Sequence, residues 1–493
     1  MQVNPLTVGP IVGATSANSV RIWGRGRLEI TRRLKDSSHF GNRIFSWISL
    51  GLFNQGTLVP KRCFGVARLR PVGTSRFSHP KFFKMSPNFD MTGVIVFGDL
   101  WPETEYEYQV GWFFSELELE AFTQDYSLNW SQANRAKITT ASDDNLRARS
   151  FIFGSCRYLL RLFNGSWFDD RGDKIFRAIL QQSNDGITIN QLLMVGDQIY
   201  ADDLNVVQAD TTLDEYNRRY QDVFSQPYIR ELMSRIPTYM TLDDHEIEDN
   251  WPSNSSQKDL VAMYPAAIHS YLTYQLSHSP LFEVFGNKIT GVPTKLWYNY
   301  HDGCSDFFVT DTRTERYLSH NLKEREIISP QQLSALKEWL ANESGRVKFV
   351  VSAVPFFPDL KSDSEDKWAG FPQQRNEIIE LIQHKQIKRV VFLSGDVHAS
   401  LSAELVSPDD PNFKIISIIS SAFFWPYPHP QARSFILSGK LPIISEFSYE
   451  VVNADSVWST DNFTRVTTDL NSLQVQVFSR KGELLSSKLH SFF

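Results

Sequence analysis

Leu192-Leu193-Met194-Val195-Gly196-Asp197-Gln198-Ile199-Tyr200 is the stretch whose reading decides the fold. Four apolar residues in a row suit a strand buried on both faces, as in a sheet covered by helices. The glycine after them lets the chain turn sharply, which leaves the Asp197 carboxylate at the end of the strand. In open α/β sheets that is where ligands bind. From there one carboxylate can bridge two cations. Tyr200 follows three residues later, and an ionised phenolate is a hard oxygen ligand that suits a trivalent ion.

The same arrangement recurs. Phe151–Phe153 runs into Gly154-Ser155-Cys156-Arg157, Thr238–Leu242 into Asp243-Asp244-His245-Glu246, Phe307–Thr310 into Asp311-Thr312-Arg313, and Val390–Leu393 into Gly395-Asp396-Val397-His398. Further apolar runs at Phe349–Val354 and Ile415–Ile419 read as buried strands. In the third motif a carboxylate can bind a metal while His245 acts as acid or base. If the Asp396–His398 segment is extended, its two end residues share a face and reach one site. A random cysteine is a small buried hydrophobe, but the position of Cys156 at a strand end argues for a thiolate ligand. Cys63 and Cys304 have no such context and read as structural. Arg157 and Arg313 can grip phosphate oxygens with their planar forks or simply hold a neighbouring carboxylate. Carboxylate, phenolate, thiolate and imidazole groups together suit a multi-metal hydrolytic centre.

Helical patterns lie between the strands. Thr212-Leu213-Asp214-Glu215 has the form of a capping box, with Leu213, Tyr216, Tyr220 and Phe224 on one face. Ser329-Pro330-Gln331-Gln332 predicts a second helix start with proline at the first position, and a third helical stretch runs over 258–278. The alternation predicts an α/β domain over 150–493. Residues 1–140 predict a β-rich, sandwich-like domain: Ser19–Arg25 and Glu105–Trp112 alternate apolar and polar residues. The less regular, basic stretch from Arg25 to Lys84 reads as an insertion or long hairpins, and the polar segment Ala141–Arg149 as a linker.

Bulk properties agree with a globular protein. Of 493 residues, 42% are hydrophobic and 13% aromatic, which leaves no room for long disorder. The net charge of −6 gives no reason to expect a nucleic-acid partner. Three widely spaced cysteines do not make a disulfide framework. The segment Met1–Leu6 is not a signal peptide, and no apolar run approaches the roughly 18 residues of a spanning helix. A soluble cytoplasmic chain is the expectation.

Taken in order, these motifs resemble the PhoD-like alkaline phosphatase family of the calcineurin-like metallophosphoesterase superfamily. The resemblance rests on Ser155-Cys156-Arg157, Gly196–Asp202, Asp243–Glu246, Asp311-Thr312-Arg313 and Ser394–His398. It implies an αββα metallophosphoesterase domain and a phosphoric ester hydrolase acting on small-molecule monoesters or diesters through a metal-activated water. It implies that Cys156, Asp197, Tyr200, Asp244, Asp396 and His398 bind metal, with Asp197 as the bridge. Asp244 stands where the superfamily usually has asparagine, and His245 where it has the catalytic histidine. Arg313 is expected to assist His245, and Arg157 and Arg313 to bind substrate. Ferric iron with calcium is the metal pair associated with the family, other divalent ions being possible. Two alternatives are a phosphodiesterase-specific enzyme and a non-catalytic metal- or phosphate-binding protein that keeps the fold.

Overall fold

The computed structural model describes residues 1–28, 62–123, 126–162, 167–202, 209–253, 255–285, 288–362, 364–443 and 445–493. Each apolar run predicted as a buried strand is one. Gln191–Val195, Thr238–Thr241, Ser305–Val309, Val347–Ser352 and Val390–Ser394 are buried at every residue. They belong to two sheets. In the first, Thr238–Thr241, Gln191–Val195 and Arg149–Arg157 run parallel, and the antiparallel strands Asn462–Thr468, Ser472–Ser479 and Leu484–Ser491 continue from Arg149–Arg157. In the second, Ser305–Val309, Val347–Ser352, Val390–Ser394 and Asp410–Ile419 are parallel neighbours.

The sheets pack face to face. Phe151, Phe153, Leu193 and Val466 of the first share an apolar cluster with Phe349, Val351, Leu393 and Ile418 of the second. The alternate residues Val350, Phe392 and Ile415 point the other way, against Leu333, Leu336, Ile378 and Ile382 of the helices Pro330–Ala341 and Pro372–His384. The helices Arg171–Asn184, Leu213–Phe224 and Pro227–Met233 cover the first sheet with Ile175, Phe176, Tyr220 and Leu232. The order is helix, sheet, sheet, helix.

Local signals held where the backbone needed them. Thr212 and Glu215 form the capping box, and Ser329 caps its helix by accepting from Gln332 N–H. The 258–278 stretch is not a uniform α-helix. A π-helical turn over Asp259–Met263 precedes the α-helix Tyr264–Tyr271, and another follows over Leu272–Leu276. Tyr264 N–H reaches back five residues to Asp259, and Pro265 beside it has no N–H to give.

The N-terminal part is a sandwich. The antiparallel sheet Val8–Thr15, Val20–Arg25, Thr92–Phe97 faces the four-stranded sheet Lys81–Lys84, Arg62–Pro71, Glu105–Ser115, Asn134–Thr139. Val12, Ile22, Ile95 and Phe97 meet Ala67, Tyr108, Val110 and Ile138 in its core. Much of the irregular 25–84 stretch, residues 29–61, lies outside the described residues. Among the described residues no helix is long and apolar enough to cross a membrane.

The sandwich does not stand apart from the α/β layers. Val8, Ile11, Trp23 and Val94 belong to the same apolar cluster as Phe151 and Leu193. Gly13 lies so close to His278 that a Cβ there would sit 2.3 Å from its carbonyl oxygen. Ala14 N–H donates to that carbonyl at 2.8 Å, and Trp23 Nε1 donates to Thr273 O at 2.9 Å. His278 is buried at this seam, and burial, aided by nearby Arg21, lowers its pKa from 6.5 to about 4. The folded chain therefore binds that proton less tightly than the unfolded chain. The stability due to neutral His278 is complete above pH 6.5 and is lost as pH falls through about 4, to a limit of roughly 3 kcal/mol. His278→Leu is expected to flatten the loss of stability between pH 6.5 and 4, read from urea midpoints at stepped pH; an acid limb as steep as in the wild type would refute this.

Candidate active site

The strand ends bring their motifs to a cleft of about 440 Å³. Asp197, Asp244, His245, Asp396 and His398 line it, with Asp249, Asn250, Lys367 and Trp425 beside them. Cys156 and Tyr200 lie buried behind this wall.

The turns that present these groups are held in unusual conformations. Gly196 has φ +87°, and a Cβ there would stand 2.5 Å from Asp243 Cβ, so only glycine fits. Cys156, Asp197, Asp396 and His398 have φ of 56°, 55°, 69° and 50°. Left-handed backbone at a non-glycine residue costs on the order of 1–3 kcal/mol and persists only where the surroundings over-determine it. Here hydrogen bonds do so. Glu246 accepts the N–H groups of Asp197 at 3.1 Å, Gln198 at 2.7 Å and Asp243 at 2.9 Å. Ser155 Oγ accepts Asp396 N–H at 3.1 Å, and Ser421 Oγ accepts His398 N–H at 3.0 Å. Those two bonds also correct the expectation of an extended Asp396–His398 segment. It is a turn, with the backbone drawn to two serines on the neighbouring sheet, and both side chains still reach the common site.

Among the described residues four sets of ligand atoms result, each with its members within 4.8 Å of one another: Cys156, Asp197 and His398; Asp197, Asp244 and His245; Asp202, His245 and Asp249; Asp243, Asp244 and Asp396. Asp197 belongs to two of them, as a bridging carboxylate must. The donor set fits metal ions on a second ground. Asp197 Oδ1, Asp244 Oδ1, Tyr200 Oη and His398 Nε2 are buried with no hydrogen-bond partner, a costly condition for polar atoms unless something else satisfies them. Burial, followed by neighbouring carboxylates, pushes the pKa of Cys156 well up, and burial with neighbouring Cys156 and Asp197 does the same for Tyr200. Burial likewise raises Asp197, with Asp243 and Asp244 adding to it against His245. The anionic forms are therefore stable only beside added positive charge. His398 is pushed well below its ordinary value by burial, then by His245 and His429, and is the neutral imidazole that a metal requires. Trp425 stacks on it with ring centroids 3.7 Å apart.

His245 is held in orientation by hydrogen bonds. Its Nδ1 pairs with Asp202 Oδ2 at 2.8 Å, and Asp249 N–H donates to the same oxygen at 3.0 Å. Burial opposes the imidazolium, but Asp244, Asp197 and Asp202 outweigh it and raise the pKa well above the ordinary value. A protonated imidazole in a cleft can donate a proton or stabilise an oxyanion.

The two arginines are placed otherwise than expected. Arg157 is fully buried and does not line the cleft. Its guanidinium donates to Val223 O at 3.0 Å and lies 3.4 Å from Asp173, which in turn accepts Ile229 N–H. It ties the Arg149–Arg157 strand to the helices that cover it. Arg313 is also fully buried and does not line the cleft. It holds Asp243 at 2.5 Å and Asp366 at 2.9 Å, and lies 3.6 Å from Asp244 and 3.9 Å from Asp396. Despite burial, Arg313 and His245 hold Asp244 down to about 2. Of the two readings the sequence left open for Arg313, the structure shows the carboxylate-holding one.

Sequence reasoning assigned no role to Asp202, Glu246, Ser155, Ser421 or Lys367. The first three lie inside the quoted motifs and were legible as polar residues beside ligands. Lys367 gave no signal, because the run Lys361-Ser362-Asp363-Ser364-Glu365-Asp366-Lys367 reads as a solvated loop.

Comparisons with known proteins agree with this geometry. The model of the PhoD-like phosphatase family matches residues 160–467. Alkaline phosphatase D of Bacillus subtilis (strain 168) is 28% identical in an alignment 225 residues long that covers 39% of this chain and 36% of that protein. The match thus spans about a third of the length of that relative. The solved structure of PhoD superposes with a TM-score of 0.67 at 17% identity, covering 99% of this chain and 89% of that one. Purple acid phosphatase PPD1 from yellow lupin (Lupinus luteus) seeds superposes at 0.57 with 11% identity, covering 98% and 74%. At such identities the two structures speak for the fold alone. The family match extends over more than half of the chain and takes in the strand ends from Asp197 to His398, and the chain belongs to the PhoD-like phosphatase family.

Proposed function

We propose that this chain is a metal-dependent phosphoric ester hydrolase that cleaves small-molecule phosphate esters. The observation that carries the reading is Asp197, a single carboxylate shared by two ligand sets on the wall of an open cleft. A site that only bound phosphate would have no need of His245, oriented by Asp202 and facing the same cleft. The reading includes a cytoplasmic setting, in keeping with three free, buried thiols.

Cys156, Asp197, Tyr200 and His398 would hold one ion, and Asp197, Asp244 and Asp396 a second. The hard phenolate donor suits ferric iron at the first, in line with the family resemblance, and the carboxylates favour calcium or another hard divalent ion at the second. When bound, such ions offset the charge of phosphoryl oxygens and make water a competent nucleophile near neutral pH. The chain's own residues do the rest. Asp202 fixes His245 through Nδ1 and leaves Nε2, 3.9 Å from Asp249 Oδ1, for the substrate. From there His245 gives a proton to the departing ester oxygen or holds charge on the phosphoryl group. Arg313 fixes Asp243 from behind and steadies Asp244 without touching substrate.

The direct test is hydrolysis of chromogenic phosphomonoesters and phosphodiesters with and without chelator. The wild type is expected to turn over and to stop when chelated. Asp197→Ala is expected to lose both turnover and metal, measured by elemental analysis, because one side chain serves two ligand sets; full metal content in this variant would overturn the assignment.

His245→Ala is expected to keep its metal and to lose about 10²–10⁴-fold in kcat. An unchanged kcat would make His245 structural.

Iron bound by Tyr200 and Cys156 is expected to give a visible charge-transfer absorption. Tyr200→Phe should remove or shift most of it, and Cys156→Ser should weaken iron retention, since a neutral hydroxyl replaces an anionic ligand. Iron-loaded protein whose spectrum ignores both substitutions would remove ferric iron from the reading and leave the hydrolase reading standing.

A further inference from the structure

Among the described residues that line the cleft, Lys367 is the one lysine or arginine, and four carboxylates, Asp197, Asp244, Asp249 and Asp396, also stand there. Its side chain is only 5% exposed. The ammonium lies 3.0 Å from Asp366 Oδ2 and touches Asp396 Oδ2. Asp366 is itself fixed by Arg313 at 2.9 Å and by contact with Arg316, two arginines that are buried. The neighbouring residue Trp368 is fully buried and donates through Nε1 to Ser352 Oγ at 3.0 Å, at the end of the Val347–Ser352 strand. Lys367 is thus held from both sides. A cation fixed in place at the edge of a cleft needs no reorganisation to meet an anion.

We infer that Lys367 is a substrate-binding residue that contacts the phosphoryl oxygens and sets a preference for phosphomonoesters over phosphodiesters. The inference rests on the proposed hydrolase function and adds the substrate class to it. A monoester brings a dianion at neutral pH and a diester a monoanion. Against a wall of four aspartates the second negative charge of the monoester is the one most in need of a partner, and an ammonium supplies it as a point charge. The rival account is that Lys367 only offsets Asp366 and Asp396. On that account its loss would disturb the metal ligands and leave no preference between the two esters.

The test uses the metal-loaded full chain with Lys367→Gln, which keeps a donor for Asp366 without the charge, and Lys367→Met. Whichever variant melts like the wild type decides, and Lys367→Arg checks for rescue by charge. Metal content is expected to match the wild type. Inorganic phosphate, titrated by calorimetry, should bind about tenfold more weakly, a change of roughly one decade in Kd. The kcat/KM for a monoester should fall about tenfold more than that for a diester with the same leaving group, and Lys367→Arg should recover most of both. Unchanged phosphate affinity and an unchanged monoester-to-diester ratio would overturn the inference. So would a loss of phosphate binding that merely follows a loss of metal. Phosphate binding needs no turnover: a wild type that hydrolyses neither ester refutes the hydrolase function, and the titration still decides Lys367.

Discussion

The Glu246 carboxylate holds this site together. Buried and without exposure, it accepts three backbone N–H groups from two turns, those of Asp197 and Gln198 after one strand and Asp243 after the next, and the Gln275 amide at 3.0 Å. Asp197 can keep a left-handed backbone only because its N–H is claimed in this way. Without that anchor the two adjacent turns would be free to relax, and the carboxylates of Asp197 and Asp244 would leave the positions in which they share a set of ligand atoms. A charge-assisted bond to backbone in a dry environment is among the stronger fixings available to a loop.

Around this anchor the chain balances buried charge. Asp243, Asp244, Asp366 and Asp396 face Arg313, Arg316 and Lys367 in one connected network. A buried ion pair seldom adds stability over apolar packing, but removing one partner leaves an uncompensated charge. The network therefore serves position more than stability. It keeps Asp244 ionised and aimed at the cleft, and among the described residues no arginine or lysine pairs with Asp197, Tyr200, Cys156 or His398 in the same way. That asymmetry is what a metal-binding centre requires. One half of the acid cluster is neutralised by arginine, and the other half is left for added cations.

The N-terminal sandwich takes part in the same economy of support. Its strands bury Ile11 and Trp23 in the core that also holds Phe151 and Leu193, and Arg230 on the helix below the first sheet donates to Gly9 O at 2.7 Å. The α/β layers would expose that surface if the sandwich were absent, so the two parts share their stability although their strand patterns differ.

Strand burial and the order of the motifs were decided by the sequence alone. Runs such as Leu192–Val195 and Val390–Leu393 can satisfy water nowhere, and a Gly-Asp after such a run can only be a turn at a strand end. Ligand chemistry followed, because Cys156, Asp197, Tyr200, Asp244, Asp396 and His398 carry their donor atoms wherever they stand. What only the tertiary structure decided is which polar atom each group meets. Arg157 and Arg313 are alike as sequence, a charged fork after a strand. Packing turned the first toward Asp173 and the second under Asp243, both out of the cleft. The Asp396–His398 segment became a turn because Ser155 and Ser421, hundreds and tens of residues away along the chain, accept its N–H groups. Lys367 entered the cleft because a buried tryptophan beside it is tied to a strand end. Burial patterns are written locally, in the spacing of apolar residues. Hydrogen-bond partners and charge pairs depend on distances between strands far apart in sequence, and those exist only once the sheets have packed.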